Sequence, residues 1–223
     1  MTVPTVIAID GPVASGKSTV GRVLATRLGY RFLDTGLMYR AVTLMALQRN
    51  IALNDAALLG DLAATLRIDV ASSGVAGAER ILADGEDVTD HLRSPQVETA
   101  VSLVSKAGLV RRAMVAEQQR IAGEGGIVMV GRDIGTKVLP HAAKVFLDAS
   151  KDERALRRYT EAKARGDATT LEAVRANLEL RDRLDSEREE SPLRVADDAA
   201  RLDTEGLDVE GVVDRILQVL GRG

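Results

Sequence analysis

Residues Val6–Asp10 form a short apolar run that passes directly into Gly11-Pro12-Val13-Ala14-Ser15-Gly16-Lys17-Ser18-Thr19. Beyond Lys17, apolar residues recur at helical spacing through Val20, Val23, Leu24 and Leu28. A strand, a glycine-bounded loop ending in Gly-Lys-Ser and a helix follow one another without a gap. This succession constrains the fold more than any other feature of the chain. The glycines let the backbone turn tightly enough to aim successive N–H groups at one point, and the helix N-terminus adds partial positive charge there. Such a loop cradles the phosphates of a nucleoside triphosphate, here ATP, with Gly11 to Thr19 around it. Lys17 is placed to reach the β- and γ-phosphates, and the Ser18 hydroxyl to ligate Mg²⁺, which is otherwise held by the phosphates and water.

The remaining strand candidates are short: Arg31–Leu33, Ile127–Val130, Lys144–Leu147 and Ala200–Leu202, with the first strand read as Val3–Ile9. Helical patterns separate them at Lys17–Leu28, Leu37–Arg49, Leu109–Ala122, Lys151–Arg165, Thr170–Arg183 and Val209–Leu220. This alternation predicts an α/β fold: a parallel five-stranded sheet with helices on both faces, in one domain spanning residues 1–223. Apolar residues make up 45% of the chain but aromatics only 2%, so its core must be aliphatic. Residues from about Arg67 to Val97 break the rhythm. Ser72-Ser73-Gly74 and Ala76-Gly77 read as turns, and Arg80–Thr89 as a hairpin about Asp84-Gly85, predicting a small inserted β-rich subdomain.

Other function classes lose ground on composition. There is no cysteine, hence no disulfide framework and no thiolate chemistry. A net charge of −3 argues against non-specific nucleic-acid binding. No basic leader and no long apolar run is visible, which predicts a cytoplasmic chain without a membrane partner. The lack of a heptad seam or a long unassigned apolar face predicts a monomer. The arginines from Arg154 to Arg194 alternate with glutamates, as on a solvated helix face. His91 and His141 have no visible partners and are expected at the surface.

Ligands of a parallel sheet bind at the carboxyl ends of its strands. Two further segments fall there. Asp34-Thr35-Gly-Leu-Met-Tyr-Arg40 opens a helix, where Arg40 and the helix dipole suit an anionic phosphate; an ordinary loop with a capping aspartate and a surface arginine would read the same. Gly131-Arg132-Asp133-Ile-Gly135-Thr136 puts a charged pair abruptly after an apolar strand. Arg132 suits bidentate phosphate binding and Asp133 an exocyclic amine or a magnesium water, unless the two form a structural pair. Farther on, Arg181, Asp185 and Arg188 sit at i, i+4 and i+7 on one helix face, an arrangement that a salt-bridged surface helix shares. No general base or covalent nucleophile stands out, and phosphoryl transfer requires none: cations around an in-line donor and acceptor suffice.

Together these motifs resemble the bacterial cytidylate kinase family of nucleoside monophosphate kinases. The resemblance runs through residues 7–19, Phe32–Ala41, Asp84–Thr89, Gly131–Thr136, Phe146–Ser150, Arg181–Arg188 and Ser191–Leu193. It implies transfer of the ATP γ-phosphate to CMP or dCMP. It further implies that Arg40, Arg132 and Arg188 hold the acceptor phosphate, with Lys17, Arg132 and Arg188 catalytic. Ser102, Arg111 and Asp133 would read cytosine, and Arg181, Asp185 and Thr35 would lie by the sugar. The insertion at about 67–97 would belong to the monophosphate-binding region, and a short arginine-rich lid at about 155–170 would close over ATP. Gly108 stands where the family pattern has proline, and Leu184 where it often has a charged residue. A kinase of another small molecule, such as UMP, AMP or a metabolite, is the nearest alternative. A nucleotide-dependent switch would need an Asn-Lys-x-Asp segment, and no asparagine here precedes lysine.

Overall fold

The computed structural model describes residues 3–72, 79–188 and 190–221. Five strands, β1 (Val6–Asp10), β2 (Arg31–Asp34), β6 (Ile127–Gly131), β7 (Ala143–Asp148) and β8 (Ala200–Asp203), form one parallel sheet in the order β2-β6-β1-β7-β8. Strand β1 begins at Val6, not at Val3 as the apolar pattern suggests.

The period of two along each strand divides the core. Ala8, Leu33, Ile127 and Met129 face one side, where they meet α2 (Thr35–Gln48), α3 (Ala56–Thr65) and α5 (Gly108–Ala122). Ile7, Ile9, Val128, Val130, Val145 and Leu147 face the other, against α1 (Lys17–Leu28) and α8 (Val209–Leu220). Burial on both faces explains why β1 and β6 read as nearly continuous apolar runs. Helix α1 lies close over the sheet because Gly21 has no Cβ. One added there would sit 2.7 Å from Val130 and 2.9 Å from the Phe32 ring.

The inserted sheet is antiparallel: β3 (Ile68–Ser72), β4 (Glu79–Ala83) and β5 (Glu86–Asp87). Its hairpin turns at Asp84-Gly85, both with positive φ (50° and 87°), as a tight two-residue hairpin turn requires. The turns read at Ser73-Gly74 and Ala76-Gly77 lie outside the described residues.

Two helices escape the sequence reading. Helix α3 carries Gly60 at its middle, a poor helix residue, because a Cβ there would lie 2.5 Å from Leu109 of α5. Helix α4 (Pro95–Val104) is short and rich in β-branched residues, a composition that favours strands, yet its Val97, Val101 and Val104 pack into the core. It begins within the segment read as β-rich. Helices α6 (Lys151–Ala164) and α7 (Leu171–Ser186) form a hairpin whose Ala155, Val174 and Leu178 pack against Val13 and Ala14 of the glycine-bounded loop. No helix among the described residues is long and apolar enough to cross a membrane.

Candidate active site

The carboxyl ends of β1, β2 and β6 open into a cleft of about 400 Å³. Lys17, Ser18, Asp34, Thr35, Arg40, Ser102, Arg111, Arg132, Asp133, Arg181, Asp185 and Arg188 all line it. Residues from five separate stretches of sequence therefore meet in one space.

The donor side follows from local backbone. Gly11, Ala14 and Gly16 take positive φ (154°, 61° and 89°), wrapping the chain around the start of α1. Helices α2, α3, α6, α7 and α8 begin on Asp34, Asp55, Ser150, Thr170 and Asp208, whose side chains accept a backbone N–H. At α1 the cap is Gly16, with no side-chain acceptor, so the first amides of that helix keep their donors for an anion. Lys17 donates to the Pro12 carbonyl (2.5 Å) and the Ser15 hydroxyl (3.2 Å). Burial, reinforced by the positive charge of Arg132, lowers its pKa to about 7. The Ser18 hydroxyl donates to Asp34 Oδ2 (2.7 Å), joining the loop to the end of β2. Two hard oxygens at that spot suit Mg²⁺, and no cluster of three acidic or imidazole ligands occurs among the described residues.

Asp10, the last residue of β1, is buried and accepts from the amides of Ile134 (2.9 Å) and Gly135 (2.7 Å). Burial pushes its pKa up to about 6 against the pull of those two amides. It thereby ties the donor strand to the wide turn Ile134–Val138, whose i→i+5 bonds include Val138 N to Asp133 O at 3.2 Å. That turn presents Arg132 and Asp133. Gly131 is required just before it, since a Cβ would fall 2.6 Å from Ile134 and 2.7 Å from the Thr35 hydroxyl.

The acceptor side is a network of ion pairs. Arg111 binds Asp133 at 2.5 Å with both side chains buried, and its guanidinium lies over the Tyr39 ring at 5.2 Å. Asp185 accepts from Arg132 and, at 2.5 Å, from Arg188. Burial opposes the charge of Asp185, but Arg132 and Arg188 hold its pKa below the ordinary carboxylate value. Arg188 also donates to the Ser105 hydroxyl (3.2 Å), while its buried Nε has no partner. Arg40 and Arg181 both meet Glu98 of α4. Arg181 is pushed down to about 10 by burial and by Arg132. Thr35 donates to the Val130 carbonyl (3.0 Å) and so fastens α2 to β6. The helix of Arg181 and Asp185 ends at Ser186, so Arg188 lies beyond it and not on its face. The chain bends back there, with Leu193 N bonded to Asp185 O (2.9 Å).

A model of the cytidylate kinase family matches residues 7–222. The chain belongs to the cytidylate kinase family. It is 50% identical over 215 residues to the cytidylate kinase of Geobacillus sp. (strain WCH70), covering 96% of this chain and 95% of that one. With the cytidylate kinase of Enterococcus faecalis (strain ATCC 700802 / V583) it shares 49% over 217 residues, covering 96% and 94%. A solved uncharacterized protein from Eubacterium ventriosum ATCC 27560 superposes with a TM-score of 0.51 at 13% identity, covering 98% of each chain, a likeness of fold alone.

Membership of the cytidylate kinase family makes the protein a nucleoside monophosphate kinase, with ATP as phosphoryl donor. Several of its site residues had no sequence signal of their own. Glu98 lies in the helix that was not read, and Asp10 passed as the last residue of an apolar strand. Asp34 is recognisable as a helix cap, but its contact with Ser18 is tertiary. Arg154 looked like one of many solvated arginines. It is in fact buried, donating to Val13 O (2.9 Å) and Ala149 O (3.2 Å) and pairing with Asp182 (2.7 Å), which clamps α6 and α7 to the loop. His91 and His141 are exposed, as expected.

Proposed function

We propose that the chain transfers the γ-phosphoryl group of ATP in line to the phosphate of CMP or dCMP, giving CDP or dCDP and ADP. The observation that carries this reading is the single cleft that joins Lys17 and Ser18 to the Arg111–Asp133 pair and the arginines around Asp185. ATP lies along residues 11–19, with backbone amides and Lys17 on its phosphates. A triphosphate beside Lys17 opposes the burial that lowers its pKa and keeps the ammonium charged as negative charge develops. Ser18, backed by Asp34, would hold Mg²⁺, which neutralises phosphate oxygens when bound.

The acceptor phosphate takes Arg40, Arg132 and Arg188, whose unpartnered Nε supplies a ready donor. Arg132 sits between the two ends of the cleft and serves the moving phosphoryl group. Asp133, oriented by Arg111, accepts from the N4 amine of cytosine, with Ser102 beside it. Uracil offers a carbonyl there and would leave two acceptors facing each other in a buried place, a mismatch that discriminates strongly. Arg181, Asp185 and Thr35 border the sugar. The segment at about 155–170, which brings Arg158 and Arg165 to the cleft, acts as the lid; Arg93 of the insertion at about 67–97 and Val101 and Ser102 of α4 line the acceptor side.

The test is an acceptor panel of CMP, dCMP, UMP and AMP with ATP and Mg²⁺, followed by ADP release. Efficient use of the cytidine nucleotides with weak use of UMP and AMP is expected. A preference for UMP or AMP would overturn the base assignment.

A further inference from the structure

Arg40, Arg132, Arg181 and Arg188 crowd the acceptor end of the cleft, and they share two carboxylates of different character. Asp185, on α7, is 5% exposed and holds Arg132 and Arg188 through short contacts. Glu98, on α4, is 22% exposed and makes longer ones: Arg40 Nε at 3.2 Å and Nη2 at 3.0 Å to Oε1, and Arg181 Nη1 at 3.5 Å to Oε2. The remaining Arg40 contact, Nη1 to the Gly36 carbonyl (3.1 Å), fixes the guanidinium from behind.

The edge that Arg40 gives to Glu98 is the Nε–Nη2 edge, one with which a guanidinium grips a phosphate through parallel hydrogen bonds. A phosphate and Glu98 therefore call on the same donors. Glu98 does not itself line the cleft, so an incoming anion does not collide with it but draws the arginine away from it. Asp185 is poorly suited to such an exchange: it is enclosed, and losing Arg132 and Arg188 would strand a buried carboxylate. Glu98 faces water in part and keeps solvation when its partners leave.

We propose that Glu98 is an internal rival anion that sets how strongly any oxyanion must bind to take the acceptor site. The inference rests on the assignment of Arg40 to the acceptor phosphate. Glu98 levies the same penalty on every anion. A nucleoside monophosphate recovers it through base and sugar contacts, whereas inorganic phosphate has no further contacts to draw on. The site thus resists ambient phosphate and remains open to its nucleotide.

The experiment measures KM for CMP, KM for ATP and the inhibition constant of inorganic phosphate against CMP, in the full chain and in Glu98→Gln and Arg40→Gln. Glu98→Gln is expected to lower both KM for CMP and the phosphate inhibition constant by about three- to tenfold, with KM for ATP as internal reference. Glu98→Ala, which removes the rival without leaving an amide, must move both constants in the same direction. A residue that merely braced Arg40 and Arg181 would give the opposite sign, because unbraced arginines bind phosphate less well. Unchanged or raised constants in the folded Glu98 variants overturn the inference. If Arg40→Gln leaves KM for CMP unchanged, the acceptor-site reading itself fails; if it raises KM while the Glu98 variants do not lower it, only the rival-anion inference fails.

Discussion

Replacing Asp10 by asparagine isolates the energetics of the strand-to-turn tether. The native carboxyl has its pKa raised from 3.8 to about 6 by burial, an increase of about 2 that corresponds to ~3 kcal/mol. Between those values the folded protein holds a proton that the unfolded chain has already released. The unfolded state then binds fewer protons, so the stability contributed by this group is fully present below about pH 4 and falls as pH rises to about 6. Asparagine does not titrate. Its Oδ1 accepts from only one of the two amides, and its NH₂ group faces the other, which adds a roughly constant cost of about 1–3 kcal/mol at every pH. The stability of the native protein relative to Asp10→Asn should therefore decline by up to ~3 kcal/mol between pH 4 and pH 7. Denaturant unfolding of both proteins at intervals across that range, without nucleotide, measures the difference and cancels the titration of the other carboxylates. A difference that stays flat, or rises with pH, refutes the argument that burial dominates at Asp10.

Lys17→Met should lower kcat by at least about 10²-fold while leaving circular dichroism unchanged, since it removes a charge at the transferring phosphoryl group; near-normal turnover would contradict its role. Because burial lowers the pKa of Lys17 to about 7, ATP binding at pH 8 should take up protons as the ammonium regains its charge. Calorimetry in buffers of different ionisation enthalpy detects this, and a buffer-independent enthalpy would count against it. Asp133→Ala should raise KM for CMP far more than KM for ATP and destabilise the fold by about 3–5 kcal/mol, because Arg111 is left buried and unpaired. The double variant Arg111→Met/Asp133→Leu should recover most of that stability but not CMP use. Normal KM for CMP in the double variant would sink the base-reading role.

Much of the sheet could be read directly. Every strand of the parallel sheet is predicted to within a few residues, β1 and β6 most plainly, because residues such as Val128 and Val130, and Ile127 and Met129, are buried on opposite faces and leave an unbroken apolar trace. What failed to show were helices shaped by their neighbours. Gly60 is unfavourable for α3 in isolation and is demanded by Leu109. The valines of α4 speak for a strand until the core they fill is known. The i, i+4, i+7 spacing of Arg181, Asp185 and Arg188 suggests one helix face because such spacing says nothing about where a helix stops. The stop at Ser186 leaves Arg188 free to turn back onto Asp185 and Ser105.

The two halves of the site differ for the same reason. The donor half is local: a phosphate cradle of contiguous amides requires only glycines, a lysine and a helix start in succession, and residues 11–19 supply them within one stretch of chain. The acceptor half is built from charges far apart in sequence. Arg132 meets Asp185 53 residues away, and Arg181 meets Glu98 83 residues away. Spacing could name the arginines, but not which carboxylate neutralises each one, which pair is buried, or which edge of a guanidinium is already engaged. Those follow only when α4 and α7 are packed against the strand ends, because Coulomb energy depends on distance and burial, neither of which a linear pattern contains.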